Sequence, residues 1–274
     1  MLLSRHKTER GKCATMIFDS HIHTVFSADS EMKAAEALAA AEKQGVGLVF
    51  TEHLDADYTS KEGKVFSFDP EAYWESYSQL RGDNLRLGVE IGMRERTREV
   101  SAEFSQRVPF DFIICSQHMV DDMDIYYPDY YEGKDKQTAY HRYLVQMAEN
   151  LRTHSFAHAL GHIDYICRYA PYDDPELYYR EFADEIDAVL KTAIDHEVVM
   201  EINTRRLGAK DALENLLPIY KRYQEMGGRF VTLGSDAHSA EAVGAHLLLA
   251  YDFAESLKLT PVTFQQRQMV NCQK

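Results

Sequence analysis

The residues best suited to chemistry begin with Asp19-Ser20-His21-Ile22-His23-Thr24, which closes a short apolar run, Met16-Ile17-Phe18. Along a strand, residues i, i+2 and i+4 share a face, so Asp19, His21 and His23 are expected to point the same way. Two neutral imidazoles at that spacing suit a divalent cation, because imidazole is a good ligand for zinc, iron and nickel. A His-x-His pair also occurs on ordinary surface strands, so its meaning rests on partners further along the chain. Those partners recur after successive apolar runs: His53 in Thr51-Glu52-His53, Glu90 in Gly88-Val89-Glu90-Ile91, and His118 in Ser116-Gln117-His118. His162 follows in Gly161-His162-Ile163-Asp164, then Asp236 and His238 in Gly234-Ser235-Asp236-Ala237-His238. With Asp29, these residues supply six imidazoles and three carboxylates. That exceeds one tetrahedral site, which takes three or four protein ligands, and suits two or three divalent ions sharing a bridging carboxylate. Clustered cations lower the pKa of a bridging water toward ~7 and clamp both oxygens of an in-line displacement. Phosphoester hydrolysis is the natural chemistry, with deamination or amide hydrolysis as the other candidate.

The elements that must hold these residues alternate. Strands are expected at 46–50, 85–91, 110–115, 156–160, 198–202 and 229–233, after the one ending at His23, with a terminal strand at 262–264. The intervening segments read as helices. The first spans 34–44, behind a cap at Asp29 or Ser30 and stopped by Gly45. Asp69-Pro70-Glu71 opens a second, which runs to about Leu80. Others cover 95–106, 136–152, 175–196 from Pro175, 212–226 with Pro218 inside, and 241–255. The tyrosine-rich stretch 126–133 reads as a loop over the site. About seven strand-then-helix units imply an α/β protein with parallel strands joined by crossover helices. Every ligand-type residue named above except Asp29 sits at or just beyond a strand's C-terminal end. In a closed parallel barrel those ends form the catalytic face.

Composition narrows the partners. A chain of 274 residues fits a single domain at 16–274. Its formal net charge of −14 argues against a nucleic-acid backbone, which needs a basic surface, and favours a small cationic or zwitterionic substrate. The four cysteines show no CxxC spacing, so neither a thiolate zinc site nor a disulfide framework is indicated, and a reducing cytoplasm fits best. No apolar run approaches the roughly 18–20 residues of a membrane span. Residues 1–15 carry Arg5, Lys7, Arg10 and Lys12 without an apolar stretch. They read as a disordered extension or the product of an upstream start codon, not as a secretory signal.

Taken together, Asp19-x-His21-x-His23, Thr51-Glu52-His53, Gly88-x-Glu90, Ser116-x-His118, Gly161-His162-x-Asp164 and Ser235-Asp236-Ala237-His238 resemble the successive motifs of the PHP (polymerase and histidinol phosphatase) superfamily. Within it, the segments 161–169, 201–204 and 234–244 resemble the monofunctional histidinol-phosphate phosphatases, and the resemblance runs from about Met16 to the C-terminus. It implies a distorted (β/α)7 barrel with a trinuclear centre of zinc, iron or manganese, in agreement with the count of units. It also implies the ligand sets: His21, His23, Glu90 and Asp236 for one ion; Glu90 as bridge with His118 and His162 for a second; His53, His238 and Asp29 for a third. Arg168 falls where these phosphatases place an arginine for the substrate phosphate, a task that suits a bidentate guanidinium. The implied activity is hydrolysis of L-histidinol phosphate in histidine biosynthesis by attack of a metal-bridging hydroxide. Glu90, Asp236 and Arg168 are then the catalytic residues, and a small phosphomonoester is the partner. The alternative is a PHP-type phosphoesterase acting on a nucleotide or oligonucleotide end, which the net acidity disfavours.

Other residues carry two readings. Asp19 and Asp164 are expected to orient histidines, or, for Asp164, to be simply solvated. Of Arg205 and Arg206, one is placed to help hold phosphate; Arg205 is the choice, against a reading of both as ion-paired. Glu52, of opposite parity to His53, reads as structural, His158 as a core histidine, and Cys115 and Cys167 as small buried hydrophobes. His6, His141, His154, His196 and His246 need no role. Tyr126, Tyr127, Tyr130 and Tyr131 either wall a pocket or pack their loop. The leaving group's proton comes from water or from an acid such as Asp236 or Asp164.

Overall fold

Short apolar runs ended by glycine or by a polar turn alternate along the chain with amphipathic stretches, and each run pairs with the next. The structure, a computed structural model, describes residues 16–209 and 211–274; the extension read at 1–15, with Cys13 and His6, lies outside the described residues. In chain order the elements are β1 (Phe18–Ile22), α1 (Ala34–Gln44), β2 (Gly47–Leu54), α2 (Pro70–Tyr77), β3 (Leu85–Gly92), α3 (Arg98–Arg107), β4 (Phe112–Ser116), β5 (Met119–Val120) and β6 (Met123–Asp124). They continue with α4 (Lys136–Thr153), β7 (Ala159–Leu160), α5 (Ala183–Asp195), β8 (Val199–Asn203), α6 (Ala212–Glu225), β9 (Phe230–Gly234), α7 (Leu247–Ser256), β10 (Thr260–Gln265) and β11 (Gln268–Asn271). One sheet runs β1-β2-β3-β4-β7-β8-β9-β10-β11, and β5 and β6 form a separate hairpin. Every neighbouring pair from β1 to β10 is parallel, and only β11 turns back against β10. The α/β reading with a mostly parallel sheet therefore holds. No helix among the described residues is long and apolar enough to cross a membrane.

The ends of β1 and the segment after β9 meet. The Asp236 amide donates to the His21 carbonyl at 2.8 Å, and the His23 amide to the Ala237 carbonyl at 2.9 Å. Asp19 secures the same junction and does not orient a histidine: its carboxylate accepts from the Ser235 amide (2.8 Å), the Ser235 hydroxyl (2.5 Å) and the Gly244 amide (2.8 Å). The physical reason lies in β1. Its register against β2 shifts between Asp19 and Ile22, and such an irregularity breaks strict alternation.

Three expected boundaries move because tertiary hydrogen bonds outweigh local propensity. The helix expected from Pro175 starts at Ala183. The Pro175 carbonyl takes the Tyr140 hydroxyl, and Glu176 is held by Arg206 and Asn215. The helix expected from 241 starts at Leu247, because Gly244 (φ +73°) and His246 (φ +59°) are left-handed. Neither Asp29 nor Ser30 caps α1: the Ser30 hydroxyl donates to the His23 carbonyl, and Glu36 closes the helix by accepting from the Lys33 amide. Asp69 caps α2 as expected, and α6 runs through Pro218 unbroken. The β5–β6 hairpin and β11 had no expectation.

A second, smaller apolar cluster fills the space at the N-terminal ends of the strands, with Phe18, Val49, Phe112, Ile114, Val262 and Phe264 among its members. His158 belongs here. Its Nδ1 accepts the Ile113 amide, its ring stacks on Phe112 and Phe264, and burial pushes its pKa down to about 4. It is the core histidine expected. Cys115 and Cys167 are buried. Tyr130 and Tyr131 are buried too, their hydroxyls on the Ala139 and Ile125 carbonyls, so they pack their loop, whereas Tyr126 is half exposed.

Candidate metal centre

Strand-end position decides which side chains meet. Glu90, near the end of β3 and fully buried, is the hub. Its Oε2 lies 3.3 Å from His21 Nε2, 3.5 Å from His23 Nε2 and 2.9 Å from His53 Nδ1. Its Oε1 lies 3.3 Å from His118 Nε2 and 3.0 Å from His162 Nε2. Asp236 Oδ1 is 3.4 Å from His23 Nε2 and 3.9 Å from His21 Nε2. Asp29 Oδ2 lies 3.1 Å from His238 Nε2 and 3.5 Å from His53 Nε2. All nine residues singled out as ligands in the sequence thus form one connected cluster.

The donor set fits divalent cations. His21 Nε2, His23 Nε2, His53 Nδ1 and Glu90 Oε2 are buried without a hydrogen-bond partner, which is costly unless something else satisfies them. Two ligands about 2.1 Å from a zinc-sized ion, 90–109° apart, sit roughly 3.0–3.4 Å from each other. Most of the separations around Glu90 fall in or close to that range. Four groupings, His23/His53/His238, His21/His23/Asp236, His21/Glu90/His162 and His53/Asp55/His118, each bring three donor atoms within 4.8 Å of one another.

Acceptors behind the rings fix their tautomers. His21 Nδ1 lies 2.7 Å from Glu201 Oε1, and His118 Nδ1 lies 3.1 Å from Asp55 Oδ1. A carboxylate only accepts, so both rings carry hydrogen on Nδ1 and turn Nε2 toward Glu90. Glu201 Oε2 also takes the His162 amide (2.9 Å) and the Asn203 carboxamide (3.1 Å). Glu52 anchors the turn after β1 by accepting from the Thr24 amide and the Thr24 and Ser27 hydroxyls, while the Ser27 hydroxyl lies 3.1 Å from His23 Nδ1. Glycines make room for these carboxylates. A Cβ at Gly234 would sit 2.3 Å from Glu201 Oε1 and 2.4 Å from the His21 Cβ, and one at Gly92 would sit 1.8 Å from Asp55 Oδ1.

Burial opposes charge on every group here, yet mutual contact prevails for most. Glu90 is pushed up by burial but held well below the usual carboxylate range by His21, His53 and His118. Asp236 is treated likewise by Arg168 and His21. Burial lowers His21, but Glu201, Glu90 and Asp236 lift it well above an ordinary histidine; Asp55 and Glu90 lift His118 to about 10 in the same way. Burial, then His53 and His238, keep His23 well below its ordinary value. A bound cation would supply positive charge to these carboxylates and displace any proton from the ligating nitrogens.

The arginines separate. Arg168, nearly buried, lies over the Tyr165 ring and donates from Nη1 to Asp236 Oδ2 at 2.5 Å and from Nη2 to Asn203 Oδ1 at 3.0 Å. Arg205 is 43% exposed and donates to the Asp236 carbonyl at 2.8 Å. It lines a cavity of about 260 Å³ with Thr204, Asp236, His238 and His246. Arg206 is committed to Asp164 (2.8 Å) and Glu176. Asp164 is thus a buried ion-pair partner, with no hydrogen bond to a histidine ring among the described residues. Asp55 and Glu201 escaped notice as site residues. The signals available were the period of two linking His53 to Asp55 and the acidic residue inside the apolar run Val198-Val199-Met200-Glu201-Ile202.

Residues 19–205 match the PHP domain family. The chain is 45% identical over 254 residues to a probable histidinol-phosphatase of Clostridium acetobutylicum, spanning 93% of this chain and 99% of that protein. It is 29% identical over 230 residues to the histidinol-phosphatase of Lactococcus lactis subsp. lactis, spanning 81% and 84% of the two. The crystal structure of histidinol phosphate phosphatase from Lactococcus lactis subsp. lactis, complexed with zinc, L-histidinol and phosphate, matches with a TM-score of 0.87 at 27% identity. That match covers 93% of this chain and 99% of the other.

Proposed function

The chain belongs to the PHP domain family, and we propose from this and from its site that it hydrolyses L-histidinol phosphate to L-histidinol and phosphate, a step of histidine biosynthesis, with bound divalent metal. The observation that carries the reading is the single cluster of nine ligand-type side chains around Glu90, five of its imidazoles on that carboxylate, with Arg168 on Asp236 beside it. The likeness to histidinol-phosphatases over nearly the whole chain supplies the substrate. We read residues 16–274 as a single domain and its sheet as a distorted (β/α)7 barrel; the hydrogen bonds joining the end of β1 to the segment after β9 support this. A cytoplasmic setting, a small phosphomonoester as partner and neither nucleic acid nor membrane complete the reading.

His21, His23, Glu90 and Asp236 would hold one ion, Glu90 with His118 and His162 a second, and His53, His238 and Asp29 a third. Zinc, iron or manganese suits these nitrogen and oxygen donors. When bound, such ions supply Lewis-acid charge for phosphoryl oxygens and lower the pKa of water toward ~7. The protein's own part is positional and electrostatic. Glu201 and Asp55 keep His21 and His118 turned toward Glu90. Arg168 and Arg205 meet at Asp236, where their guanidinium groups can take phosphate oxygens and the charge that develops on them. The Asp164 carboxylate is engaged by Arg206, and Asp236, held ionised against Arg168, is in the wrong state to donate a proton. Protonation of the leaving alkoxide by water is therefore favoured over either acid.

Phosphate release from histidinol phosphate, set against nucleotides, sugar phosphates and short DNA, tests the assignment. A kcat/KM of at least ~10⁴ M⁻¹s⁻¹, well above every competitor and abolished by chelation, is expected. Bound metal without preference for histidinol phosphate would defeat the substrate, and turnover unaffected by chelation would defeat the metal. A second expectation concerns Glu201, which is not itself a ligand in this reading. Glu201→Gln keeps the shape and removes the acceptor charge behind His21, so metal affinity in a chelator competition should weaken about 10–100-fold. Unchanged affinity would remove Glu201 from the positioning role.

A further inference from the structure

At the opposite end of the strands from the metal cluster lies a buried cation with unmade bonds. Arg86, the second residue of β3, is 4% exposed and forms no ion pair among the described residues. Nη1 donates to Thr263 Oγ1 at 2.9 Å, the guanidinium lies 4.0 Å over the Phe18 ring, and Nε is buried without a partner. Arg86 shares strand parity with Glu90, four residues and about 13 Å away along the strand. A buried guanidinium with donors unused is costly, and most other arginines among the described residues are paired with a carboxylate.

Arg86 lines a cavity of about 180 Å³ together with Arg81, Asp111, Gln265 and Gln266. The carboxylate that borders the same cavity is already engaged. Asp111 accepts from Arg81 Nε (3.0 Å) and Nη2 (2.6 Å), from the Leu87 amide (3.0 Å) and from the Gln266 amide (2.8 Å). Arg267 joins the same region through its amide on the Asp111 carbonyl, while its own guanidinium donates to the Phe110 and Ser105 carbonyls. Two guanidinium groups, those of Arg81 and Arg86, thus border the cavity beside one carboxylate, Asp111, in a chain whose net charge is −14. The cavity wall is also shaped. The β10–β11 turn puts Gln266 (φ +51°) and Arg267 (φ +64°) in the left-handed region, where such hairpins normally place asparagine and glycine. Asp111 holds both amides there. The carboxamides of Gln265 and Gln266 make no hydrogen bond among the described residues and border the cavity.

We propose that this cavity is a binding site for a small oxyanion, held by the Arg86 guanidinium with the carboxamides of Gln265 and Gln266. With Nη1 on Thr263 and Nε enclosed by the protein, the Nη2 end of the guanidinium fork is left to donate a charge-assisted hydrogen bond to a carboxylate or phosphate oxygen. The volume admits an ion of phosphate or acetate size. Bound there, the anion neutralises Arg86 and ties the β10–β11 hairpin to β3, at a distance from the chemistry.

Two experiments on the full-length, metal-loaded chain test this. Crystals soaked in selenate should show an anomalous peak within hydrogen-bond distance of Arg86, separate from any at the metal cluster. In solution, the chain should show a saturable rise in melting temperature at constant ionic strength with phosphate or acetate, one component of which belongs to this site. Adding Arg86→Gln should abolish that component, and Arg86→Lys, which keeps charge without the fork, should weaken it about tenfold. A response to phosphate alone identifies free phosphate as the ligand class; one to acetate alone identifies a carboxylate. Arg86→Gln by itself should turn over histidinol phosphate within twofold of the unmodified chain. No selenate peak at Arg86, or an anion response equal with and without Arg86, would overturn the proposal. If Arg86→Gln does not fold, the selenate map and the Arg86→Lys titration decide.

Discussion

Glu90→Gln should lower kcat/KM for histidinol phosphate by at least ~10³-fold and reduce the metal content of the purified protein by an ion or more per chain. The size follows from what converges on this carboxylate. Five imidazole nitrogens, from His21, His23, His53, His118 and His162, lie within 3.5 Å of its two oxygens. A side chain bridging cations from that position controls several kcal/mol of transition-state charge stabilisation, and each 1.36 kcal/mol is tenfold in rate. Glutamine preserves the volume of a fully buried side chain, so loss of packing is not the cause. It replaces one anionic oxygen with an amide that only donates, facing nitrogens that must themselves be lone-pair donors to metal. Far-ultraviolet circular dichroism should be unchanged. Full metal content with activity within tenfold of the unmodified enzyme would mean that Glu90 is not the bridging group.

Glu90 was legible in the sequence, and so were the other eight ligand candidates, because the signal needed is local. Each of the eight apart from Asp29 is a polar residue of metal-binding type placed where an apolar run ends, and a parallel sheet gathers those ends by its topology. What was not legible depends on contacts distant along the chain. Glu201 reaches His21 across 180 residues and Asp55 reaches His118 across 63. Neither carboxylate announces its partner in its own neighbourhood. Arg205 and Arg206 are adjacent and chemically identical, yet one opens onto the cavity beside Asp236 while the other is consumed by Asp164 and Glu176. The same logic moved the starts of α5 and α7, where carbonyls and amides were claimed by Tyr140 and Asp19 before a helix could use them. It also freed Asp19 from the face shared by His21 and His23, since a single register shift in β1 suffices to break the alternation.

Arg168 offers the contrast that separates holding metal from stabilising transferred phosphate. Arg168→Ala should cut kcat/KM by about 10²–10³-fold, the usual cost of removing one preorganised donor from developing charge, with metal content unchanged. The guanidinium is nearly buried against Tyr165, with Nη1 on Asp236 and Nη2 on Asn203, so its position is set before substrate arrives. Preorganised charge of that kind acts on the transition state more than on bound substrate, and the loss should therefore fall mainly on kcat, with KM shifting less. Arg168→Lys should recover no more than about a tenfold part of the loss, because an ammonium supplies the charge but cannot span Asp236 and Asn203 or present a planar pair of donors. Removing the arginine also leaves Asp236 buried without its closest cation, and in chelated protein this should lower the melting temperature. Metal bound beside Asp236 should restore most of that difference. If Arg168→Lys were fully active, a point charge alone would account for phosphate stabilisation. If Arg168→Ala lost metal as well as rate, the arginine would belong to the ligand scaffold through Asp236 and not to the phosphate site.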